Sequence, residues 1–374
     1  MIDIKKEECC GCSACSQVCP KKCINMIPDK EGFYYPVIKK DLCVDCQLCE
    51  KVCPSISDLK YASKKKAIIA YSTIEEERAH SSSGGIFSLL AEKVLKEDGL
   101  IYGASYDTDW MVVHTKCDKF EELSNLRGSK YLQSRNEGVF AEIKQYLNEG
   151  KQILYTGTSC QVTGLKTFLK KDYENLYTVD VLCHGVPSPG VWERYIKLLQ
   201  KRFDSKITHI SFRDKCSGWK NYSFTVEFES GDVFSEKFYN NSFMRLFLGN
   251  TILRPSCHVC KYKSMDRSSD LTIGDAWGLE KIFPDLDDNK GMSVLVIHNN
   301  KGLNLVESIS SNIVKRDVDL EVILPENVDS RKPVKAGKGR RLAFLYYYRK
   351  KTVDEMCISV ESSLKAKLLR AIIH

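Results

Sequence analysis

Cys9-Cys10-Gly11-Cys12-Ser13-Ala14-Cys15-Ser16-Gln17-Val18-Cys19-Pro20 and Cys43-Val44-Asp45-Cys46-Gln47-Leu48-Cys49-Glu50-Lys51-Val52-Cys53-Pro54 carry one pattern twice, C-x2-C-x2-C-x3-C-P, with a period of 34 residues from Cys9 to Cys43. Two-residue gaps let three thiolates of a tight loop reach neighbouring irons of one [4Fe–4S] cube, and in two-cluster ferredoxins the fourth cysteine of each run ligates the other cluster. That rule groups Cys9, Cys12, Cys15 and Cys53 on one cluster and Cys43, Cys46, Cys49 and Cys19 on the other. Zinc usually takes cysteine pairs set further apart, and four cysteines within eleven residues, each run closed by a proline, suit it poorly. Residues 1–60 are therefore expected to form a small ferredoxin-like domain with two [4Fe–4S] clusters.

The rest of the chain is too large to serve only that module. Its 374 residues, 43% of them hydrophobic, are enough for two or three domains with a sizeable core. Seventeen cysteines in a secreted protein would suggest disulfides, but disulfide density belongs mostly to small secreted domains. The start, Met1-Ile2-Asp3-Ile4-Lys5-Lys6-Glu7-Glu8, lacks the apolar core of a signal peptide. No apolar run approaches the roughly 20 residues of a membrane span. The expectation is a soluble, cytoplasmic protein kept under reducing, low-oxygen conditions, with no transmembrane segment.

The net charge of +7 is uneven: residues 330–374 hold twelve Lys and Arg against three Asp and Glu. This segment, 331–374, reads as basic and mostly helical, packing through Leu342 and Leu345 with its charges in solvent. An acidic protein partner or an anionic membrane surface is the alternative use of its charge, while nucleic acid is the weaker candidate.

Between 67 and 330 the pattern alternates strands and helices. Strands are expected at 67–72, 100–106, 112–117, 152–155, 176–183, 271–273 and 293–297, and helices at 86–96, 139–147, 162–169 and 191–201. An antiparallel stretch follows over 207–234, with Phe224, Val226 and Phe228 alternating before the turn at Ser230-Gly231-Asp232. The fold class is α+β or mixed α/β: the ferredoxin-like domain, then a larger mixed-sheet catalytic domain over 67–330. A polar link is expected around Ser63-Lys64-Lys65-Lys66.

A second set of chemical residues lies in this body. Cys160 follows a strand, Cys183 ends another, and Cys257 and Cys260 form a C-x2-C pair. If the two strands are neighbours, the four thiols meet at one sheet edge and hold a third [4Fe–4S] cluster or a zinc ion. Two ordinary core cysteines plus an unrelated pair remain the other reading. Ser81-Ser82-Ser83-Gly84-Gly85 precedes the helix at Ile86 and suits an anion at a helix N-terminus, or is a plain serine cap. Arg127-Gly128-Ser129-Lys130-Tyr131 offers two cations and a ring to a dinucleotide, or is a surface turn. Asp275, within Gly274-Asp275-Ala276-Trp277-Gly278, sits at a strand end where a ligand rim and a packed turn are equally good readings. No G-x-G-x-x-G follows the first strand. His184 reads as a structural histidine, and Cys10, Cys23, Cys117, Cys216 and Cys357 as packing or incidental thiols.

Taken together and in order, these motifs over residues 1–300 resemble the coenzyme F420 hydrogenase/dehydrogenase beta-subunit family. The resemblance implies an iron–sulfur flavoprotein oxidoreductase with FAD held by Ser82, Ser83, Gly84, Gly85, Arg127, Gly128, Ser129, Lys130 and Asp275. It also favours a third [4Fe–4S] cluster on Cys160, Cys183, Cys257 and Cys260, next to the flavin. The ferredoxin-like domain is then the port for a redox partner protein or ferredoxin-like donor. The small-molecule partner implied is a deazaflavin such as coenzyme F420 or a sugar-related substrate. A non-catalytic electron-transfer subunit of a larger redox complex is the alternative, and a nucleic-acid- or surface-binding protein with structural clusters is a third.

Overall fold

In the computed structural model, which describes residues 2–57, 65–323 and 331–373, the internal repeat is visible in the backbone. Each cysteine run turns through a left-handed residue at the same repeat position, Ser13 (φ 67°) and Gln47 (φ 59°), and enters a short helix, Ala14–Val18 and Leu48–Lys51. Between the halves, β1 (Ile24–Pro28) and β2 (Tyr34–Ile38) form an antiparallel hairpin. Of the predicted link, Ser63 and Lys64 lie outside the described residues.

The body is built on β3 (Lys66–Ser72), β4 (Leu100–Tyr106), β5 (Val112–Cys117), β6 (Ile153–Thr158), β7 (Leu176–Val181), β8 (Ile207–Asp214), β9 (Ser223–Phe228), β10 (Val233–Lys237), β11 (Leu271–Asp275), β12 (Ser293–Ile297) and β13 (Ile313–Val318). Eight of these make one mixed sheet in the order β13-β3-β12-β11-β7-β6-β4-β5. β4, β6, β7 and β11 run parallel, and the remaining neighbours pair antiparallel. Its central strands are covered on both faces, so they read as continuous apolar runs: Val294, Leu295 and Val296 are all buried. Ile101 and Leu154 pack with the helix Ile86–Lys96 on one face, and Tyr102 and Tyr155 with the helices Val139–Asn148 and Ser159–Leu169 on the other.

The helix predicted to start at Val162 starts at Ser159. Thr158 and Gln161 form a capping box there, with the Thr158 N–H donating to Gln161 Oε1 at 3.0 Å. This extra turn brings Cys160 into the helix.

β8, β9 and β10 form a separate antiparallel sheet against the helix Pro189–Phe203. Trp192 from that helix meets Phe212 and Phe243 at ring separations of 5.0 Å.

The ferredoxin-like module is welded to the body. Thr167 donates to the Val52 carbonyl at 2.7 Å, and the Gln17 side chain bonds Asn136 O and the Phe140 N–H, each at 2.8 Å. A Cβ on Gly164 would lie 2.8 Å from Cys12 Sγ, so the helix Ser159–Leu169 meets the first run through a glycine. On the opposite side, the helix Arg340–Tyr348 drives Ala343 and Phe344 inward, and Arg340 pairs with Glu31 in the hairpin turn. Here the structure departs from expectation. Leu345 is exposed, Phe344 takes the buried position beside Phe33, and part of the basic charge is spent inside the fold.

Candidate functional site

The two N-terminal runs interleave. Cys19 shares one small cavity with Cys43, Cys46 and Cys49, across the repeat from its own run. Cys15 has Cys9, Cys53 and Cys49 as its charged neighbours, and burial first, then those thiols, push it up to about 12. Cys12 faces Gly164 and Cys10. Cys23, read from sequence as incidental, lines the Cys19 cavity with its sulfur 3.3 Å from Cys19 Sγ.

The second constellation comes together through sheet register. β6 and β7 are parallel neighbours with Thr158 opposite Val181, so Cys160 and Cys183 each stand two residues beyond a paired position. The short 3-10 helix Pro255–Val259 brings Cys257 and Cys260 to the same edge. All four thiols line one cavity of about 430 Å³ together with Cys10. The Val186 N–H reaches Cys257 Sγ at 3.4 Å and the Thr158 hydroxyl meets Cys160 Sγ at 3.1 Å. Burial pushes Cys183 up to about 12 and Cys260 to about 11, and the Lys263 ammonium pulls both back.

The donor set fits an iron–sulfur cube, which takes one thiolate per corner. Among the described residues no three His, Cys, Asp or Glu side chains gather tightly enough for a single ion. Five cations line the cavity, Lys5, Arg254, Lys261, Lys263 and Arg267, against two carboxylates, Glu7 and Glu8. Arg267 is also buried against Asp180 at 3.0 Å beneath β7. His184 is a structural residue here, with its Nε2 2.7 Å from Asn250 Oδ1. Cys10, also read as incidental, is within hydrogen-bonding range of both Cys12 and Cys160. Its adjacency to Cys9 in the chain was the only sequence signal for that place. Cys117, Cys216 and Cys357 reach neither cavity.

The two Gly/Ser loops also meet, since the Ser129 N–H donates to Ser82 Oγ at 2.7 Å. Not every residue of them is free to hold a ligand. Ser83 donates to Met292 O at 2.8 Å, and the Gly84 N–H is taken by Ser293 Oγ at 3.0 Å. Gly85, at φ 84°, caps the helix Ile86–Lys96. Arg127 is paired with Glu77 and bonds Ser88, and Gly128 has open space around its Cα. Among the described residues Lys130 has only carbonyl acceptors, Arg127 O at 2.8 Å and Gly128 O at 3.5 Å, and desolvation pulls its pKa down to about 7. Asp275 joins the same neighbourhood through Arg213, which binds it at 2.8 Å and Tyr131 Oη at 3.1 Å. The Trp219 indole N–H donates to Asp275 at 3.2 Å, and its ring stacks on Trp277 at 4.5 Å.

No helix among the described residues is long and apolar enough to cross a membrane. Residues 8–56 match the 4Fe-4S dicluster domain, and residues 150–319 match the C terminus of the coenzyme F420 hydrogenase/dehydrogenase beta subunit. No curated protein matches the chain. Among solved structures, a chain from the xenon-derivatized F420-reducing [NiFe] hydrogenase complex of Methanosarcina barkeri is similar at 17% identity. That match covers 82% of this chain and 93% of that one with a TM-score of 0.47. The chain is thus homologous to the coenzyme F420 hydrogenase/dehydrogenase beta-subunit family over residues 150–319, with a 4Fe-4S dicluster domain over residues 8–56 preceding that region.

Proposed function

We propose that the chain is an FAD-dependent iron–sulfur oxidoreductase with three [4Fe–4S] sites, in which a small hydride partner, a deazaflavin or a sugar-related molecule, reacts in the body and a redox protein docks at the ferredoxin-like module. The observation that carries this reading is the cavity where Cys160, Cys183, Cys257 and Cys260 stand beside Cys10 of the first cysteine run. An isolated carrier module has no use for a second thiol cavity inside a large α/β body.

When bound, a flavin would supply both two-electron and one-electron redox levels, which is what links a hydride partner to clusters that carry single electrons. The residues have separable tasks. Cys160 sits in the first turn of the helix after β6 and Cys183 just past the end of β7, and Cys257 and Cys260 close the cavity from the segment at that edge. Lys263, donating to the His184 carbonyl at 2.7 Å, fixes the loop after Cys183 and adds positive charge beside the thiolates. Ser82, Ser129 and Lys130 form a corner at the N-terminus of the helix Ile86–Lys96, suited to the phosphates of a dinucleotide. Arg213 and Trp219 lock Asp275 in place as a rim acceptor for the same ligand.

Anaerobic iron, sulfide and flavin quantification on wild type and Cys257→Ala tests the proposal. About twelve irons and one flavin per wild-type chain are expected by the four-iron stoichiometry, with about four irons lost in the variant. Eight irons in both would remove the third site, and clusters without flavin would favour the electron-carrier alternative.

A further inference from the structure

Arg254 is completely buried (0% exposed), and among the described residues no carboxylate pairs with it. Its Nε donates to Cys9 O at 2.8 Å, Nη1 to Gln133 Oε1 at 2.8 Å, and Nη2 to Tyr34 O at 2.9 Å. These are neutral acceptors. They take three of the guanidinium's five N–H hydrogens and bring no opposite charge to it. Taking an ion out of water costs several kcal/mol unless an opposite charge offsets it. The rings of Tyr35 and Phe33, at 4.3 and 5.7 Å, supply only cation–π contact.

Two sets of thiols flank this charge. On one side Nη2 lies 3.7 Å from Cys9 Sγ. On the other, Arg254 lines the cavity of Cys160, Cys183, Cys257 and Cys260, and its carbonyl accepts the Cys257 N–H at 3.0 Å. The loop after Cys9 presses flat against it. A Cβ on Gly11, at φ 71°, would stand 2.4 Å from Gln133 Nε2 and 3.0 Å from Arg254 Cζ.

We propose that Arg254 is the shared counter-charge of two cluster sites, the one ligated by Cys9 and the one in the thiol cavity, and that it raises the reduction potentials of both. The inference rests on the three-cluster reading above. A cube held by four thiolates is anionic and gains a further negative charge with each electron, so a fixed cation beside it favours the reduced form. One cation beside the first site, on a residue that lines the cavity of the second, keeps their potentials high together. Arg254 acts as a positioning and potential-setting residue, and Cys10 fills the space between the two sites.

The test is a redox titration of the anaerobic holoprotein followed by EPR, with iron counted on each sample. Arg254→Gln is expected to keep about twelve irons while the equilibrium constant for electron uptake falls about tenfold or more at two sites, 59 mV for a one-electron couple. The site of Cys43, Cys46, Cys49 and Cys19 is expected to keep its potential. Twelve irons with all potentials unchanged overturn the proposal. Eight irons in wild type overturn the cluster reading itself, and this role with it. If Arg254→Gln loses its iron, Arg254→Lys decides the matter. Retention of iron by lysine alone supports the counter-charge, because lysine keeps the charge but not the planar fork. Loss by both marks Arg254 as a packing fork and overturns the role.

Discussion

The Ser129 N–H donates to the Ser82 hydroxyl at 2.7 Å across 47 residues of sequence, joining two loops that are individually weak motifs into one corner. Lys130 stands next to that bond with its pKa pulled down to about 7 by desolvation, against about 10.4 for a free lysine. An anion bound in the corner requires the charged ammonium. FAD affinity is therefore expected to be full below pH 7 and to fall above it, approaching tenfold per unit. Flavin-free stability runs the other way. It rises between pH 7 and about 10.4, as the fold sheds a proton that burial disfavours while the unfolded chain still holds it. Fluorescence titration of FAD at pH 6.5, 7.5 and 8.5 measures the first slope, and Lys130→Met should flatten it and weaken binding by about tenfold. A flat wild-type profile takes Lys130 out of the site.

Asp180 and Arg267 are 0% and 1% exposed at the side chain and 3.0 Å apart. Removing one partner of a buried ion pair is strongly destabilising, so Asp180→Ala should cost about 3–5 kcal/mol in urea unfolding. The damage should spread to the thiol cavity, because Arg267 also holds the Val181 carbonyl at 3.2 Å, two residues before Cys183. A change under about 1 kcal/mol, the level of an exposed pair, contradicts this account.

Gly11 has φ 71° and no room for a Cβ. Gly11→Ala should lower stability by roughly 1–3 kcal/mol and reduce iron at the site of Cys9, with the cavity of Cys19 unaffected. Iron content equal to wild type would mean that the loop after Cys9 yields more easily than the close approach to Gln133 implies.

The interleaving of the runs has its own consequence. Cys53 acts on Cys15 and Cys9 on Cys53, whereas Cys19 opens on the cavity of Cys43, Cys46 and Cys49. Cys53→Ser should therefore destroy the EPR signal of the Cys9-Cys12-Cys15 site and spare that of the Cys43-Cys46-Cys49 site. The reverse pattern would show that each run keeps its own fourth cysteine.

Much of the framework was legible in the chain because local patterns decide it. The helix Ile86–Lys96 and the strands Leu100–Tyr106 and Val112–Cys117 lie at their predicted bounds, since each carries its own periodicity and breakers. β13 escaped prediction because only Ile313 of its six residues is buried, so an edge strand left no apolar alternation to read. Leu345, expected inward, is exposed for a related reason. The inward face of the C-terminal helix is chosen by Phe33, which comes from the far end of the chain.

By itself the sequence determined the two cysteine runs and the α/β order of the body, because these depend on residues near one another in the chain. Only the tertiary structure decided that β6 lies beside β7 and brings Cys160 to Cys183. Tertiary packing also put Cys10 in their cavity and buried Arg254 against Cys9, 245 residues away. Register, close packing around glycines and the burial of an unpaired charge arise between segments distant in sequence, and no local pattern encodes them.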